Sequence, residues 1–282
     1  RDPGNLISLE AVNVDSKPKL LKFDTEESES LNHAYGTNGI ITSLTLATDF
    51  KRDWYSIVID CSKFEESIEF LKTCTSAAID LKLGTVLEKD IVDHMPNWFK
   101  SKNNSHKVLI QTTLGGLKTI EFICKKYKFE LINFGIESQL DQGITDLVWN
   151  HTTLQMRARD KNWTYLQMLL PFNQENEFIN SMNEIFDKKI LWHLEAVSQQ
   201  GIPRLAALPV IKWTSENELD NIMNKCREFG AIIFNPHVLT VEDGGLGVVD
   251  SDQVKAKFKY DPKGLLNPGK LKGWESKEEF LN

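Results

Sequence analysis

The sequence is short of basic charge. Its 282 residues carry 33 lysines and arginines against 40 aspartates and glutamates, a net charge of −7. A protein that binds nucleic acid irrespective of sequence needs a basic face to gather phosphates, so that class is set aside. No apolar run reaches the ~20 residues that span a bilayer, and no basic-then-apolar leader opens the chain, so a soluble, cytoplasmic protein is expected. Cysteine is sparse. Cys61, Cys74, Cys124 and Cys226 stand singly with no Cys-x-x-Cys pair, and the last three fall on apolar positions of predicted helices, which reads as buried, reduced thiols rather than disulfides or a metal site. An initiator methionine is also missing. The chain opens Arg1-Asp2-Pro3-Gly4 and enters the strand-like Leu6–Val12 almost at once, as a fragment or a processed product would.

What is present is regular. Residues 6–13 alternate apolar and polar side chains and read as a strand with one buried face, with Leu20–Phe23 as its partner. A helix follows, capped by Thr25 or Ser28, carrying Leu31 and Tyr35 on one side and stopped by Gly36. From Trp54 the order becomes strand (54–60), a helix from Ser62 with Phe64, Ile68, Leu71 and Cys74 on one stripe, and a weaker strand (78–83). A helix near 88–100, broken at Pro96, leads to strand 106–112, a helix with Leu117, Ile120, Cys124 and Tyr127, and strand 129–136. After an irregular middle the order recurs: strand 164–170, a helix with Phe178, Met182 and Ile185, strand 190–197, strand 204–213, a helix capped by Thr214 or Ser215, and strand 231–238. Each half is βαβ-βαβ, the ferredoxin-like order, so an α+β fold is expected in which a duplicated ferredoxin-like unit builds a broad antiparallel sheet with helices on one face. The open face must cover something. Several of the expected strands end in residues odd for a core: Trp149-Asn150-His151-Thr152-Thr153, Arg157, Arg159, His193, Arg204 and Asn235-Pro236-His237.

Two stretches carry further information. Tyr35-Gly36-Thr37-Asn38-Gly39-Ile40-Ile41-Thr42 is a glycine-punctuated turn into a strand, where backbone can bend sharply and approach a ligand closely. Near the other end, Asp261-Pro262-Lys263-Gly264-Leu265-Leu266-Asn267-Pro268-Gly269-Lys270 has prolines and glycines enough to fix a turning course that holds Asn267 and Lys270 in place.

The turn resembles the last flavin-contacting loop of the FAD-linked oxidases of the vanillyl-alcohol oxidase and p-cresol methylhydroxylase superfamily. The tail resembles the C-terminal signature of their D-lactate dehydrogenase and glycolate oxidase branch, and the βαβ repeats between them are similar to that family's cap domain. The resemblance covers nearly the whole chain and implies three parts: residues 1–50 as the end of an FAD-binding domain, preceded in the family by a glycine-rich diphosphate loop that nothing here matches; 51–250 as the substrate cap; and 251–282 as a tail returning to the flavin. It implies that Gly39, Ile40 and Ile41 lay backbone against FAD, that Gly36, Thr37 and Asn38 shape the turn, and that Asn267 and Lys270 approach the flavin, the lysine stabilising negative charge on the reduced ring.

The implied reaction is oxidation of a small alcohol, such as the 2-hydroxy acids glycolate or lactate, by hydride transfer to flavin N5 while a base takes the hydroxyl proton. Histidine suits that base. His151 and His237 are the candidates, each in a polar cluster, whereas His33, His94 and His106 are read as exposed and His193 as part of a strand alternation. A substrate carboxylate calls for an arginine fork: Arg157, Arg159 or Arg204, with Arg204 preferred. Trp149, Asn150 and Glu242 complete the expected substrate surface. The His-x-Gly-Asp-Gly-Asn run of zinc-using relatives is missing, and no metal is expected, although His151, His237 and Glu242 are suitable ligand types. Little activity and poor FAD affinity are expected of this chain alone, with the N-terminal FAD-binding portion or a partner subunit as its complement. Two rival readings stand beside this one: a non-catalytic ligand-binding or assembly module whose flavin half is on another chain, and a plain ferredoxin-like binding domain, in which residues 36–41 and 267–270 would lie far apart.

Overall fold

In the computed structural model, residues 5–99, 104–244, 247 and 249–275 are described. The chain divides into two units, one formed by Arg1–Phe50 with Phe234–Asn282 and the other by Lys51–Ile233. The first begins with β1 (Leu6–Val12), β2 (Leu20–Phe23), α1 (Thr25–Ser28) and β3 (Ile40–Leu46). The second runs β4 (Tyr55–Cys61), α2 (Phe64–Ser76), β5 (Leu81–Leu87), α3 (Lys89–Val92), β6 (His106–Thr112), α4 (Leu114–Tyr127), β7 (Glu130–Ile136) and α5 (Asn150–Arg159). It continues with β8 (Trp163–Tyr165), β9 (Gln167–Leu169), α6 (Glu175–Phe186), β10 (Ile190–Leu191), β11 (His193–Gln199), β12 (Ile202–Ala207), β13 (Val210–Lys212), α7 (Glu216–Glu228) and β14 (Ile232–Phe234). The first unit is then completed by α8 (Val241–Gly244), α9 (Ser251–Tyr260) and α10 (Lys272–Glu275).

The second unit is built on an eight-stranded sheet in the order β14-β9-β12-β11-β5-β6-β4-β7. Its two sets of four strands follow the same spatial order from either end and join where β11 pairs antiparallel with β5, Glu195 opposite Thr85. Strand alternation sorts the side chains into two cores. Ile57, Ile59 and Cys61 of β4 pack with Ile68, Leu71 and Cys74 of α2 and Leu117, Ile120 and Cys124 of α4. Val58 belongs to the other core, with Leu87, Leu109, Met156 and Trp163. All four cysteines are free and buried, and burial pushes the thiols of Cys74, Cys124 and Cys226 up to about 12.

Several expected elements differ. The segments read as single strands over 164–170, 190–197 and 204–213 each break in two, and their outer pieces form a separate sheet, β10-β13-β8. The breaks have local causes. Trp192 is fully buried, its indole N–H bonded to Asn183 Oδ1 at 2.7 Å and its backbone N–H to Glu88 Oε2 at 2.7 Å, and Pro209 brings no N–H to a ladder. Trp149–Thr153, read as a strand end, leads into and begins α5, and Arg157 and Arg159 lie on that same helix. The helix read over 88–100 is the four-residue α3, followed by turns as far as Phe99; Lys100 lies outside the described residues. The strand read over 78–83 starts at Leu81 and runs to Leu87, and the one over 231–238 stops at Phe234, ahead of Pro236. The cap of α1 is Asp24, whose carboxylate accepts from Glu27 N–H at 3.0 Å, not Thr25 or Ser28. Lys63 rather than Ser62 precedes α2, without a side-chain cap, whereas Ser215 caps α7 through Glu218 N–H. His106 and His193 are buried.

The first unit holds the three-stranded sheet β2-β1-β3, with Leu9, Ala11, Phe23 and Leu31 as its core and Tyr260 edge-on to Phe23 at 5.3 Å. Strand β3 is an edge strand. Ile40, Ile41, Leu44 and Leu46 on it are 44–56% exposed. Among the described residues no helix is long and apolar enough to cross a membrane.

Candidate functional site

Within the first unit, the glycine turn and the proline-rich tail meet. Asn267 Nδ2 donates to the carbonyl of Tyr35 at 2.5 Å, across 232 residues of sequence. The approach explains Gly36: its φ is +65°, and a Cβ there would sit 3.0 Å from Asn267 Nδ2. Tyr35 and Asn267 themselves have φ of +51° and +40°, so non-glycine residues hold left-handed backbone on both sides of the contact. Such conformations persist where the surroundings over-determine them.

The surroundings do so through one buried lysine on α9. Lys257 Nζ donates to Thr37 O at 2.8 Å, to Leu266 O at 2.7 Å and to Asp261 Oδ2 at 2.6 Å. Asp261 in turn accepts from Leu265 N–H (3.0 Å) and Leu266 N–H (2.8 Å). Burial alone would raise the Asp261 carboxyl, but the Lys257 hydrogen bond and the two backbone donors outweigh it and hold it below the usual aspartate range. Gly264 (φ +63°) permits the tail to turn over Trp274, whose indole nitrogen a Cβ would meet at 2.8 Å.

The turn's own side chains point inward. Thr37 and Asn38 are buried; Thr37 Oγ1 donates to Ala34 O at 2.6 Å, and Asn38 Nδ2 to Ser30 O at 2.8 Å and Gln253 O at 2.9 Å. They pin the turn to α9 and leave Gly36, Ile40 and Ile41 exposed, whereas Gly39 is half-buried, packed towards Leu31, Val12 O and Ala11. Lys270 is half-buried, fixed by its backbone to Val241 N–H and Asn267 O, and nothing among the described residues engages its Nζ. His237 is exposed in this unit. Glu242 is 4% exposed, its Oε1 accepting from Gly273 N–H at 3.0 Å while Oε2 has no hydrogen-bond partner among the described residues.

The second unit holds a different polar cluster. Glu195 is 1% exposed; its Oε1 accepts from His193 Nε2 at 2.7 Å and from Trp149 N–H at 2.8 Å, and its Oε2 from Thr85 Oγ1 at 2.5 Å. A carboxylate acceptor puts the His193 proton on Nε2, and the buried Nδ1 has no hydrogen-bond partner among the described residues. The same bond holds Trp149 at φ +52°, which starts α5 with the indole 45% exposed and Asn150 and His151 exposed beside it. Along the sheet, Glu137 accepts from Ser56 Oγ and, at 2.5 Å, from Thr145 Oγ1. Burial would raise Glu137, yet these donors hold it below the usual range. Sequence reading passed over the His193–Glu195 pair; the two residues stand two apart on one strand, a same-face spacing that was its available signal.

The predicted site residues therefore fall into two groups. Gly36, Thr37, Asn38, Gly39, Ile40, Ile41, Asn267 and Lys270, with His237 and Glu242, belong to the first unit; Trp149, Asn150, His151 and Arg204 belong to the second. Arg204 is not an open fork: its terminal nitrogens bond Gln199 Oε1 (2.9 Å) and Leu170 O (3.0 Å), and its guanidinium lies 5.0 Å from the Phe172 ring centre.

No protein-family profile and no curated protein matches the chain. Solved structures do. Alkyldihydroxyacetonephosphate synthase matches with a TM-score of 0.59 at 14% identity, covering 94% of this chain and 53% of that one. The 4-ethylphenol oxidase from Gulosibacter chungangensis, in its isoeugenol complex, matches with a TM-score of 0.60 at 13% identity over 94% of this chain and 65% of that one. The chain thus shares their fold and spans about half to two thirds of their length.

Proposed function

We propose that this chain is the C-terminal part of an FAD-linked oxidoreductase, its turn 36–41 and tail 267–270 forming one wall of the flavin site and residues 51–233 a duplicated ferredoxin-like substrate cap. The observation that carries the reading is the Asn267–Tyr35 contact, with Lys257 bound to both segments: the two stretches of flavin-family resemblance lie against each other. The plain binding-domain alternative expected them apart. Both structural neighbours are FAD-linked oxidase family members, which supports the same class. The residues fit such a wall: the exposed backbone at Gly36 allows close approach, and Lys270 offers a cation whose Nζ nothing among the described residues engages. When bound, FAD supplies the electron acceptor; this chain's part is to hold and orient it. The exposed apolar edge of β3 is the surface for the remaining FAD-binding portion, on the same or another chain.

The expected test is a titration of FAD fluorescence with this chain. Weak, saturable quenching that Gly36→Val abolishes supports the wall. No binding, or binding that Gly36→Val leaves unchanged, counts against it. The substrate is taken as a small alcohol, with a 2-hydroxy acid following from the tail's resemblance. A phenolic substrate is the second reading, favoured by the engaged state of Arg204 and by the neighbour that holds isoeugenol. Anaerobic bleaching of the flavin-loaded protein by lactate or glycolate, against 4-alkylphenols, separates the two.

A further inference from the structure

The second unit contains a cleft of about 520 Å³ that the flavin reading does not use. Its volume lies in the range of small-molecule sites. Its floor is apolar, made by Trp163, Phe186 and Leu191, each less than 9% exposed. Charged residues from α3 and its following turn, from the turn after α6 and from β13 form the rim.

The rim is mixed in sign, but its charges are not equally available. Lys189 is bound to Glu218 at 2.6 Å, and Lys212 to Asp160, with its ammonium 4.8 Å from the Trp163 ring centre. Lys188 makes a long, exposed pair with Asp90 at 3.4 Å. Asp93 and Asp187 are exposed, line the cleft and have no ion-pair partner among the described residues. His94 Nδ1 lies 2.9 Å from the Asp90 carbonyl. A carbonyl only accepts, so the neutral ring carries its proton on Nδ1 and offers the Nε2 lone pair. The unused groups are therefore acceptors: two carboxylates, an imidazole nitrogen, and a third carboxylate held only by a displaceable lysine. Trp163 also presents a ring that already attracts one cation.

We infer that this cleft binds a small organic cation, an amine or amidine with a flat apolar body. The body lies on Trp163, Phe186 and Leu191, and the N–H donors face Asp93, Asp187 and His94, with Asp90 available once Lys188 swings away. The inference is independent of the flavin reading and survives its failure.

Benzamidine is a suitable probe, with benzoate and benzyl alcohol as its anionic and neutral counterparts, followed by calorimetry on the whole chain. Benzamidine should bind saturably, and benzoate should not. Asp93→Asn with Asp187→Asn should weaken benzamidine roughly tenfold, as loss of charge-assisted hydrogen bonds implies. Both positions are exposed, and asparagine tolerates the φ of +47° at Asp187, so this variant should keep its melting temperature. Lys188→Ala should act in the opposite direction and tighten binding, because it frees Asp90. Equal or tighter binding of benzoate or benzyl alcohol, an unchanged benzamidine affinity in the asparagine variant, or no saturable binding of benzamidine overturns the inference.

Discussion

Among the described residues each unit buries one lysine–aspartate pair, and the two pairs do different jobs. In the first unit, Lys257 and Asp261 side chains are 2% and 0% exposed; in the second, Lys107 and Asp60 are 1% and 9% exposed. Both pairs are thus buried, but their connectivity differs. Lys107 reaches Asp60, its direct cross-strand neighbour between β6 and β4, and otherwise lies 5.8 Å from the Phe99 ring centre. Lys257 spends all three ammonium donors on three separate acceptors, one of them 220 residues away. One pair is local to a sheet that two apolar cores already hold. The other is the node through which α9 fixes both the glycine turn and the tail.

Breaking the node should therefore have the largest effect. Lys257→Met leaves Asp261 charged and buried and removes the donor from Thr37 O and Leu266 O, a loss of about 3–5 kcal/mol. Trp274 is the one tryptophan in the first unit, and it lies 5.8 Å from Lys257 Nζ, so its emission reports that unit's unfolding by urea. An early Trp274 transition is expected. Unchanged emission would remove the node from the account.

Replacing both partners sharpens the contrast. Lys107→Met with Asp60→Leu exchanges a buried pair for apolar groups of similar size and should be close to neutral, within about 1 kcal/mol. Lys257→Met with Asp261→Leu should not recover, because Leu265 and Leu266 N–H and the Thr37 and Leu266 carbonyls all lose partners at ~1–3 kcal/mol for each buried group. Equal recovery of the two double variants, measured by urea unfolding, would abolish the distinction.

These two sites also show what sequence carries and what it does not. Asp261 could be placed at the head of a rigid tail, because the Pro and Gly spacing is local chemistry. Lys257 could be placed on a helix, but its bond to Thr37 depends on how distant segments pack, and no periodicity records that. The local apolar pattern announced β1, β4, β6 and β7 close to where they run, since it survives whatever the strand pairs with. It could not announce that three other strands leave one sheet for another, because an apolar run reads the same in both. Trp149–Thr153 was mistaken for a strand end for a related reason: the helix start at Trp149 is set by Glu195, 46 residues away, through a left-handed backbone. His193 was visible in the alternation, whereas its burial against Glu195 was not.

The smallest expected effect lies in the second unit, where a half-buried carboxyl and a buried imidazole near α3 oppose one another. Burial chiefly pushes the Glu88 carboxyl up to about 7, against the Trp192 N–H that it accepts, with Asp90 adding to the rise. Burial, aided by Lys89, brings His106 down to about 4, and its Nδ1 accepts from Lys89 N–H at 3.2 Å, a bond that protonation would break. For Glu88 the folded value lies above the unfolded one, so its contribution is fully present below about 4.5 and is lost as pH rises to about 7. For His106 the folded value lies below, so its contribution is present above about 6.5 and is lost as pH falls towards 4. Between these limits the two slopes offset. Glu88→Gln should remove the alkaline loss, raising the melting temperature at pH 8 by a few degrees while leaving it unchanged near pH 4. His106→Asn, which keeps an acceptor for Lys89, should flatten the acid side alone. Thermal unfolding of both variants across pH 4 to 8 checks the assignment, and a Glu88→Gln profile parallel to that of the parent would refute it.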